Sequence, residues 1–219
     1  MRYKAVIFDM DGLLIDSEPL WEEAGSETLR EFGKELTEEQ YRSSTGLRTE
    51  EWIAYWFHFF GIPMHHAAEA TAAIIQKAID KIAAKGEPMP GVDYLLDFFM
   101  VNNFQLGLAS SSPMQLIDVV VDKLNIRSKF QTFTSAEKLA FGKPHPQVFL
   151  DCAAELERLP IECIVFEDSF NGMIAAKAAR MKCVVVPSSA DHAHLKWNAA
   201  DLILKSLDEF QLQHIKSLS

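Results

Sequence analysis

Cysteine is scarce in this chain, which has three in 219 residues. Cys152, Cys163 and Cys183 lie too far apart in sequence to form a paired zinc or redox motif. We therefore expect buried, reduced thiols, which are typical of a cytoplasmic protein. The first predicted strand starts at Lys4 and leaves no room for a signal peptide, which favours the same location.

Basic residues and long apolar runs are also few. Lys and Arg number 21 against 31 Asp and Glu, so the formal net charge is -10. A chain without a basic stripe is not expected to bind nucleic acid. The longest apolar cluster, residues 52–60, is too short for a membrane span and contains His58, so we expect no membrane partner. The negative net charge does not exclude a small phosphorylated metabolite as the substrate, since one lysine and a metal ion can supply positive charge locally. We expect the chain to act on it as a monomer.

Residues 17–85 show a helical pattern throughout. Apolar residues at helical spacing predict four helices, with a capping box at Thr37–Gln40 and an N-terminal cap at Thr49. Aromatic residues in the third of these helices predict a core among the helices rather than a ligand box. Because no strand pattern interrupts this segment, we predict a helical insert at residues 17–86.

Strands and helices alternate after the Pro-Met-Pro-Gly sequence at 88–91. The predicted strands are 105–109, 131–134, 164–166, 183–186 and 201–204, and the predicted helices are 92–99, 116–124, 147–156 and 172–180. This alternation predicts an α/β fold with a doubly wound (Rossmann-like) parallel sheet. The strand at 4–8 needs a ladder partner and is expected to join that sheet. We therefore predict one α/β core formed by residues 1–16 and 87–219.

Two carboxylates follow the first strand at once. Asp9 and Asp11 are two positions apart, and side chains of an extended segment repeat every two residues, so both point the same way. Gly12 then permits a sharp turn. Two like charges this close need a cation or a shared proton; the alternative is a pair of solvated aspartates in a surface turn.

Polar residues follow other predicted strands too. Ser110–Ser112 come after the strand at 105–109 and serve either as an anion site or as a helix cap. Lys143 lies in a Gly-Lys-Pro-His-Pro loop that restricts the backbone, and Glu167-Asp168 end another strand. Open α/β sheets bind ligands beyond the carboxyl ends of their strands, so we expect these groups to meet there.

Together these groups suit phosphoryl transfer. Oxygen-rich clusters of two or three carboxylates are typical Mg²⁺ sites. The metal and the lysine take the charge of the phosphoryl oxygens while one carboxylate attacks phosphorus. A second carboxylate can protonate the leaving oxygen and then deprotonate the attacking water.

In their order along the chain, the four polar segments resemble the four motifs of the haloacid-dehalogenase-like (HAD) phosphatases, and the resemblance covers essentially the whole chain. It implies that the helical insert is a cap domain. It also implies that Asp9 is the nucleophile that becomes aspartyl-phosphate, and that Asp11 is the general acid/base. Glu167 is implied to ligate the metal directly or through water. The implied substrate-binding set is Asp9, Met10, Asp11, Ser110, Ser111 and Lys143, and the implied Mg²⁺ ligands are Asp9, Asp11 (through its carbonyl) and Asp168.

Four stretches, 9–21, 135–139, 143–147 and 167–180, are most similar to the 2-deoxyglucose-6-phosphate phosphatases, or hexitol phosphatases. This similarity implies hydrolysis of a small sugar or polyol phosphate. β-Phosphoglucomutases share the motifs but typically carry a histidine where this chain has Trp21, and a phosphosugar mutase is the alternative enzyme. The original dehalogenases lack the second aspartate and need no metal, so Asp11 argues against them.

Two functions that belong to other classes of protein are less favoured. A phospho-acceptor signalling module of the receiver type also has an aspartate at a strand end, paired acids and a lysine. The spacing of Asp9 and Asp11 and the long helical insert argue against it. A non-catalytic scaffold is disfavoured because no motif residue is missing.

Substrate choice is expected to depend on the cap. Residues 45–48 (Thr-Gly-Leu-Arg) resemble the family's cap specificity loop, with Gly46 as a pivot. Arg48 and Glu18 are either contacts to the non-phosphate part of the substrate or surface charges. Closure of the cap, with hinges near 15–17 and 86–90, is expected to exclude water during the reaction.

Overall fold

A computed structural model of the chain describes residues 2–44, 46–189 and 192–218. Its centre is a six-stranded sheet in which every neighbouring pair of strands is parallel. The strands are β1 Ala5–Phe8, β2 Gln105–Ser110, β3 Thr132–Ser135, β4 Cys163–Glu167, β5 Lys182–Val185 and β6 Leu202–Ile203. Their order is β3-β2-β1-β4-β5-β6, so the winding reverses direction at β1. The predicted α/β doubly wound sheet is confirmed.

Helices cover both faces of this sheet. They are α1 Glu18–Glu31, α2 Glu38–Arg42, α3 Thr49–Phe60, α4 Ala67–Lys85, α5 Val92–Val101, α6 Met114–Lys123, α7 Gln147–Glu155, α8 Phe170–Ala178 and α9 Leu212–Ser217. One hydrophobic cluster joins the Phe8 side of the sheet to α5 and α6, and a second joins the Ile7 side to α7 and α8. Because both faces of each inner strand are buried, these strands are apolar except at their ends.

The segment between β1 and α5 is helical, as predicted. Within it α1 and α3 both pack against α4. Trp56 and Phe57 are buried, so the aromatic residues of α3 mainly form a core, as expected. The division into a cap of residues 17–86 and a core of residues 1–16 and 87–219 stays a prediction.

The ends of several helices depend on local capping. Thr37 and Gln40 form the predicted capping box of α2. The expected cap at Thr49 is wrong by one residue: α3 begins at Thr49, and Arg48 is its N-cap. Gly61 takes the left-handed conformation that ends α3, with φ of 68°.

The three cysteines are free and buried, as expected for small apolar side chains of the core. Among the residues that the structure describes, no helix combines the length and the apolar character needed to cross a membrane.

Candidate active site

The register of the sheet brings the acidic motifs together. Phe8 of β1 pairs with Phe166 of β4, and the Asp9 N–H donates to the Phe166 carbonyl at 3.0 Å. Parallel strands end at the same edge, so Asp9 lies beside Glu167 and Asp168. Ser110 ends β2, the neighbour of β1 on its other side. The expectation that these groups meet at one sheet edge is confirmed.

Lys143 is buried between two carboxylates rather than solvated. Its Nζ donates to Asp9 Oδ1 at 2.5 Å, to Glu167 Oε1 at 2.6 Å and to the Ala109 carbonyl at 3.2 Å. The ammonium also lies 4.7 Å from the centre of the Phe149 ring, at a distance typical of cation–π contacts. Burial alone lowers the pKa of Lys143, but the Asp9 and Glu167 carboxylates outweigh it and hold that pKa above its ordinary value. The two carboxylates therefore favour the charged form of Lys143.

Glu167 is held on both of its carboxylate oxygens. Oε1 accepts from Lys143, and Oε2 accepts from the Asp168 N–H at 3.1 Å, the Ser169 N–H at 3.0 Å and the Ser169 hydroxyl at 2.9 Å. Gly172 approaches this carboxylate so closely that a Cβ there would overlap it. Only glycine therefore fits at position 172 without a steric overlap. The hydrogen bonds fix Glu167 in a position that orients Lys143.

The acidic cluster has the chemistry of a magnesium site. Carboxylate oxygens of Asp9, Glu167 and Asp168 all lie within 4.8 Å of one another. Asp168 Oδ1 is buried and has no hydrogen-bond partner among the described residues. Three carboxylates here face one lysine, and all three offer the hard oxygen ligands that Mg²⁺ prefers. The residues present therefore fit this metal.

Burial and neighbouring carboxylates raise the pKa values of Asp9 and Asp168. Burial, and then the charge of Glu167, raises the pKa of Asp9 to about 8, against the opposing effect of Lys143. Burial, Glu167 and Asp9 raise the pKa of Asp168 well above its ordinary value. A protonated carboxyl relieves the repulsion in the protein without metal, and a bound divalent cation does the same for the ionised form.

Asp11 is not a member of this cluster and accepts hydrogen bonds from four donors. Its Oδ1 accepts from the Ser17 hydroxyl at 2.7 Å and from the Trp21 indole N–H at 2.8 Å. Its Oδ2 accepts from the Ser112 hydroxyl at 2.6 Å and from the Ser110 hydroxyl at 3.4 Å. The two carboxylates therefore have separate surroundings, although they are only two residues apart.

The serine run after β2 does not cap α6. Pro113 is the N-cap of that helix, and the first N–H of α6, that of Met114, donates to Glu137 Oε2 rather than to a serine, so the helix-cap alternative is wrong for this segment. Ser110 accepts from the Ser112 N–H at 3.0 Å, and the Ser111 hydroxyl donates to the Gly46 carbonyl at 3.2 Å. Ser110, Ser111 and Ser112 all line the same cleft as Asp9.

Met10 contributes backbone rather than side chain to this site. Its side chain is fully buried, and its carbonyl accepts from the N–H groups of residues 13, 14 and 15. The turn continues into Gly12, with φ of 74°. A Cβ at Gly12 would overlap the Asp168 carboxylate, so only glycine fits this close approach.

A cleft that is partly open to solvent lies over the carboxylates. Its lining includes Asp9, Asp11, Lys143 and Asp168. The helical segment adds Glu18, Trp21, Tyr41 and Trp52 to the same lining. Burial, and then the charges of Asp11 and Asp9, raises the pKa of Glu18 to about 8.

Glu18 and Arg48 were both expected to contact the substrate or to be surface charges. Glu18 lines the cleft, whereas Arg48 neither lines the cleft nor extends into solvent. Arg48 Nη1 donates to the carbonyls of Leu139 at 2.6 Å and Ala136 at 3.1 Å. Its Nη2 donates to Glu51 Oε1 at 2.8 Å, and that oxygen also accepts from the Gly142 N–H at 3.0 Å. Arg48 thus joins α3 to the loop that leads into Lys143. Thr45 of the same loop lies outside the described residues.

Three contributors to the site are absent from the sequence-based set: Ser17, Trp21 and Ser112, all donors to Asp11. Ser112 carried a detectable signal, because it belongs to the serine run after a buried strand. Nothing local in the sequence marks Ser17 and Trp21 as partners of Asp11.

The fold and the site define a class of hydrolase. The family model of the haloacid dehalogenase-like hydrolases matches residues 6–186, and the chain belongs to this family.

Two sugar phosphatases of Escherichia coli are similar to this chain over most of its length. The chain is 39% identical over 206 residues to hexitol phosphatase B of Escherichia coli K12, covering 94% of this chain and 93% of that protein. It is 30% identical to the fructose-1-phosphate phosphatase YqaB of the same organism, covering 84% and 97%.

Two solved structures have the same fold. A β-phosphoglucomutase from Clostridium difficile superposes with a TM-score of 0.87 at 24% identity, over 99% of this chain and 96% of that one, which shows the fold alone. A mutant of CbbY from Rhodobacter sphaeroides, solved with xylulose-(1,5)bisphosphate, superposes with a TM-score of 0.83 at 25% identity, over 97% and 98%.

Proposed function

We propose that this protein hydrolyses small sugar or polyol phosphates, such as 2-deoxyglucose 6-phosphate or hexitol phosphates, in a Mg²⁺-dependent reaction through an aspartyl-phosphate on Asp9. The observation that carries the proposal is the buried Lys143 ammonium, 2.5 Å from Asp9 Oδ1. It lines the same cleft as Asp168, one oxygen of which has no hydrogen-bond partner among the described residues. Membership of a hydrolase family and phosphatase relatives over most of its length make the chain a phosphoric monoester hydrolase.

Asp9 is the proposed nucleophile. One of its oxygens forms a bond to phosphorus while the bond from phosphorus to the sugar oxygen breaks, and Asp11 gives that oxygen a proton. Water then attacks the phosphorus of the aspartyl-phosphate and passes a proton to Asp11, which releases inorganic phosphate and restores Asp9. The bond from Lys143 to Oδ1 supports this role, because it fixes the orientation of the Asp9 carboxylate.

The phosphoryl group is proposed to bind between Lys143, the Ser110 and Ser111 hydroxyls, and the backbone of Met10 and Asp11. Lys143 is already desolvated, so it stabilises developing negative charge without reorganisation of water. The Ser110 hydroxyl lies at the end of β2 and lines the same cleft as Asp9 and Lys143.

The carboxylates of Asp9 and Asp168 and the carbonyl of Asp11 are the proposed Mg²⁺ ligands. When bound, Mg²⁺ would supply positive charge to the phosphoryl oxygens. Because both Glu167 oxygens already accept hydrogen bonds from Lys143, Asp168 and Ser169, we assign Glu167 to positioning Lys143 and the metal-site loop.

The helical segment, residues 17–86, is proposed to be a cap domain over a core of residues 1–16 and 87–219. It supplies Glu18, Trp21 and Trp52 to the cleft, which supports a role of this segment in substrate choice. We further propose a cytoplasmic monomer that acts on a small phosphorylated metabolite, without nucleic-acid or membrane partners, in keeping with the net charge of -10.

The test is phosphate release from a panel of hexose, deoxyhexose, hexitol and pentose phosphates, with Mg²⁺ and with EDTA. We expect turnover of several monophosphates that EDTA abolishes. Clean conversion of glucose 1-phosphate to glucose 6-phosphate without phosphate release would establish the mutase instead. Stable labelling of the protein by acetyl phosphate, with no turnover of any ester, would favour the receiver module.

A further inference from the structure

We propose that Arg48 and Glu51 are positioning residues for Lys143. They hold the loop of residues 139–142, which leads into this lysine, and through the loop they align its ammonium with the Asp9 carboxylate. The inference rests on the proposed function and extends it, because it gives the helical segment a part in phosphoryl transfer itself and not in substrate choice alone. Neither side chain lines the cleft, so both act through the backbone of this loop.

The loop of residues 139–142 lacks regular secondary structure. It follows a single 3₁₀ turn, Ala136–Lys138, and α7 begins only at Gln147. Backbone groups outside helices and strands need other hydrogen-bond partners. Because Gly142 directly precedes Lys143, the course of this loop determines where the Lys143 side chain starts.

Arg48 binds carbonyl groups of this stretch. Its guanidinium donates to the carbonyls of Leu139 at 2.6 Å, Ala136 at 3.1 Å and Ala140 at 3.4 Å. Its Nε is buried and has no hydrogen-bond partner among the described residues. Since an unpartnered buried donor costs free energy, Arg48 keeps this position for the carbonyls that it reaches, although one of its own donors goes unbonded.

Glu51 binds the backbone N–H of the residue that directly precedes Lys143. Its Oε1 accepts from the Gly142 N–H at 3.0 Å and from Arg48 Nη2 at 2.8 Å. Burial alone raises the pKa of Glu51, but the hydrogen bonds from Arg48 and Gly142 outweigh it and lower that pKa. A Cβ at Gly142 would come within 2.7 Å of both Arg48 Cγ and Glu51 Oε2, so the loop packs directly on this pair of side chains.

Lys143 has little freedom to absorb a shift of this loop. Its three N–H donors are taken by Asp9 Oδ1 at 2.5 Å, Glu167 Oε1 at 2.6 Å and the Ala109 carbonyl at 3.2 Å. A displaced backbone would therefore lengthen at least one of these bonds and move the ammonium relative to Asp9 and the phosphoryl group. Misplacement of a catalytic group by about 1 Å lowers rates by as much as about 100-fold.

The dependence on substrate separates this role from a direct contact to the sugar. Glycerol 1-phosphate, ribose 5-phosphate and glucitol 6-phosphate are all esters of primary alcohols, and they differ in the size of the alcohol part. A residue that binds this part loses a different factor on each ester, whereas a residue that aligns Lys143 loses the same factor on all. We expect Arg48→Ala to lower kcat/KM by about 30-fold on each of them, mostly through kcat.

Arg30→Ala is the matched control. Arg30 also pairs with a glutamate of the helical segment, Glu35, but both side chains are exposed, so this variant should keep wild-type kcat/KM. Arg48→Lys keeps the charge without the fork of donors and should recover part of the activity. Guanidinium at millimolar concentration, below its denaturing range, should raise the activity of Arg48→Ala and leave that of the wild type unchanged.

Urea unfolding gives the folded fraction of each variant, by which the measured rates are corrected. A corrected kcat/KM of Arg48→Ala equal to that of the wild type, or a loss on only some of the esters, would overturn the inference and leave the phosphatase intact. Arg48→Lys is compared in the same way if Arg48→Ala does not fold. Release of phosphate by the wild type from none of these esters, nor from any monophosphate of the panel, would overturn the proposed function and this inference with it.

Discussion

Trp21 donates its indole N–H to Asp11 Oδ1 at 2.8 Å, so helix α1 holds a carboxylate that follows strand β1. The Ser17 hydroxyl reaches the same oxygen at 2.7 Å. The proposed general acid/base is therefore oriented by the helical segment as well as by the sheet edge. A residue that lines the cleft thus also positions a reacting group.

Trp21→Phe should lower kcat by about tenfold and change KM little, since it removes one hydrogen bond to a charged group and keeps an aromatic wall. Trp21→His keeps a ring N–H and should recover part of the loss. Steady-state kinetics on the best substrate of the panel provide the measurement. An unchanged kcat in Trp21→Phe would show that the indole N–H has no part in positioning Asp11.

Lys143→Met should remove activity and also destabilise the fold. It leaves the buried Asp9 and Glu167 carboxylates without a counter-charge, and the loss of one partner of a buried ion pair costs about 3–5 kcal/mol. Urea unfolding without metal measures this change in the free energy of unfolding. Lys138→Met, an exposed lysine before the same loop, is the control and should unfold like the wild type; equal stability of both variants would contradict the account.

Mg²⁺ should stabilise the protein more at high pH than at low pH. Asp9 has its pKa raised from 3.8 to about 8, so without metal its contribution to stability is fully present below pH 3.8 and is lost as the pH rises towards 8. Mg²⁺ binds the ionised form and restores this loss. Thermal unfolding at pH 6 and pH 8.5 should give the larger Mg²⁺-dependent increase in Tm at pH 8.5.

Asp168→Asn is the companion variant for this measurement, since it removes the charge of a proposed ligand and keeps its shape. It should lose most of the Mg²⁺-dependent increase in Tm at both pH values. An increase in Tm that is the same at both pH values, or that Asp168→Asn retains, would argue against a metal bound by these carboxylates.

Arg48 and Glu51 should act as a unit. Both bind the loop before Lys143, through the Leu139 carbonyl and the Gly142 N–H, and they also bind each other. The effects of Arg48→Ala and Glu51→Ala on unfolding should therefore be non-additive by about 1 kcal/mol in a double-mutant cycle. Strict additivity would show that the two side chains hold this loop independently.

Most of the fold followed from local patterns. The apolar strands, the turns and the helix periods placed all six strands within a few residues of their observed ends, because strands buried on both faces are apolar along their length. The meeting of Asp9, Ser110 and Glu167 followed from topology, since parallel strands end at one edge.

The remaining contacts depend on packing between distant segments. The bond from Arg48 to the Leu139 carbonyl joins residues 91 positions apart, and no pattern around Arg48 distinguishes it from a substrate contact. Trp21 is similar: its helical spacing predicts a buried face, but only the packing of α1 on the sheet edge brings its N–H to Asp11. Side-chain direction at such interfaces is set by the assembled structure rather than by local sequence.

The most direct test of the central claim is the rate of phosphate release by Asp9→Asn, with Mg²⁺ and the best sugar or polyol phosphate. Asn keeps the shape of Asp9 but is a far weaker nucleophile, so kcat should fall by about 10⁴-fold or more. Asp93→Asn, on the exposed surface of α5, should keep wild-type activity. A folded Asp9→Asn protein with more than about a tenth of wild-type kcat would contradict covalent catalysis by Asp9.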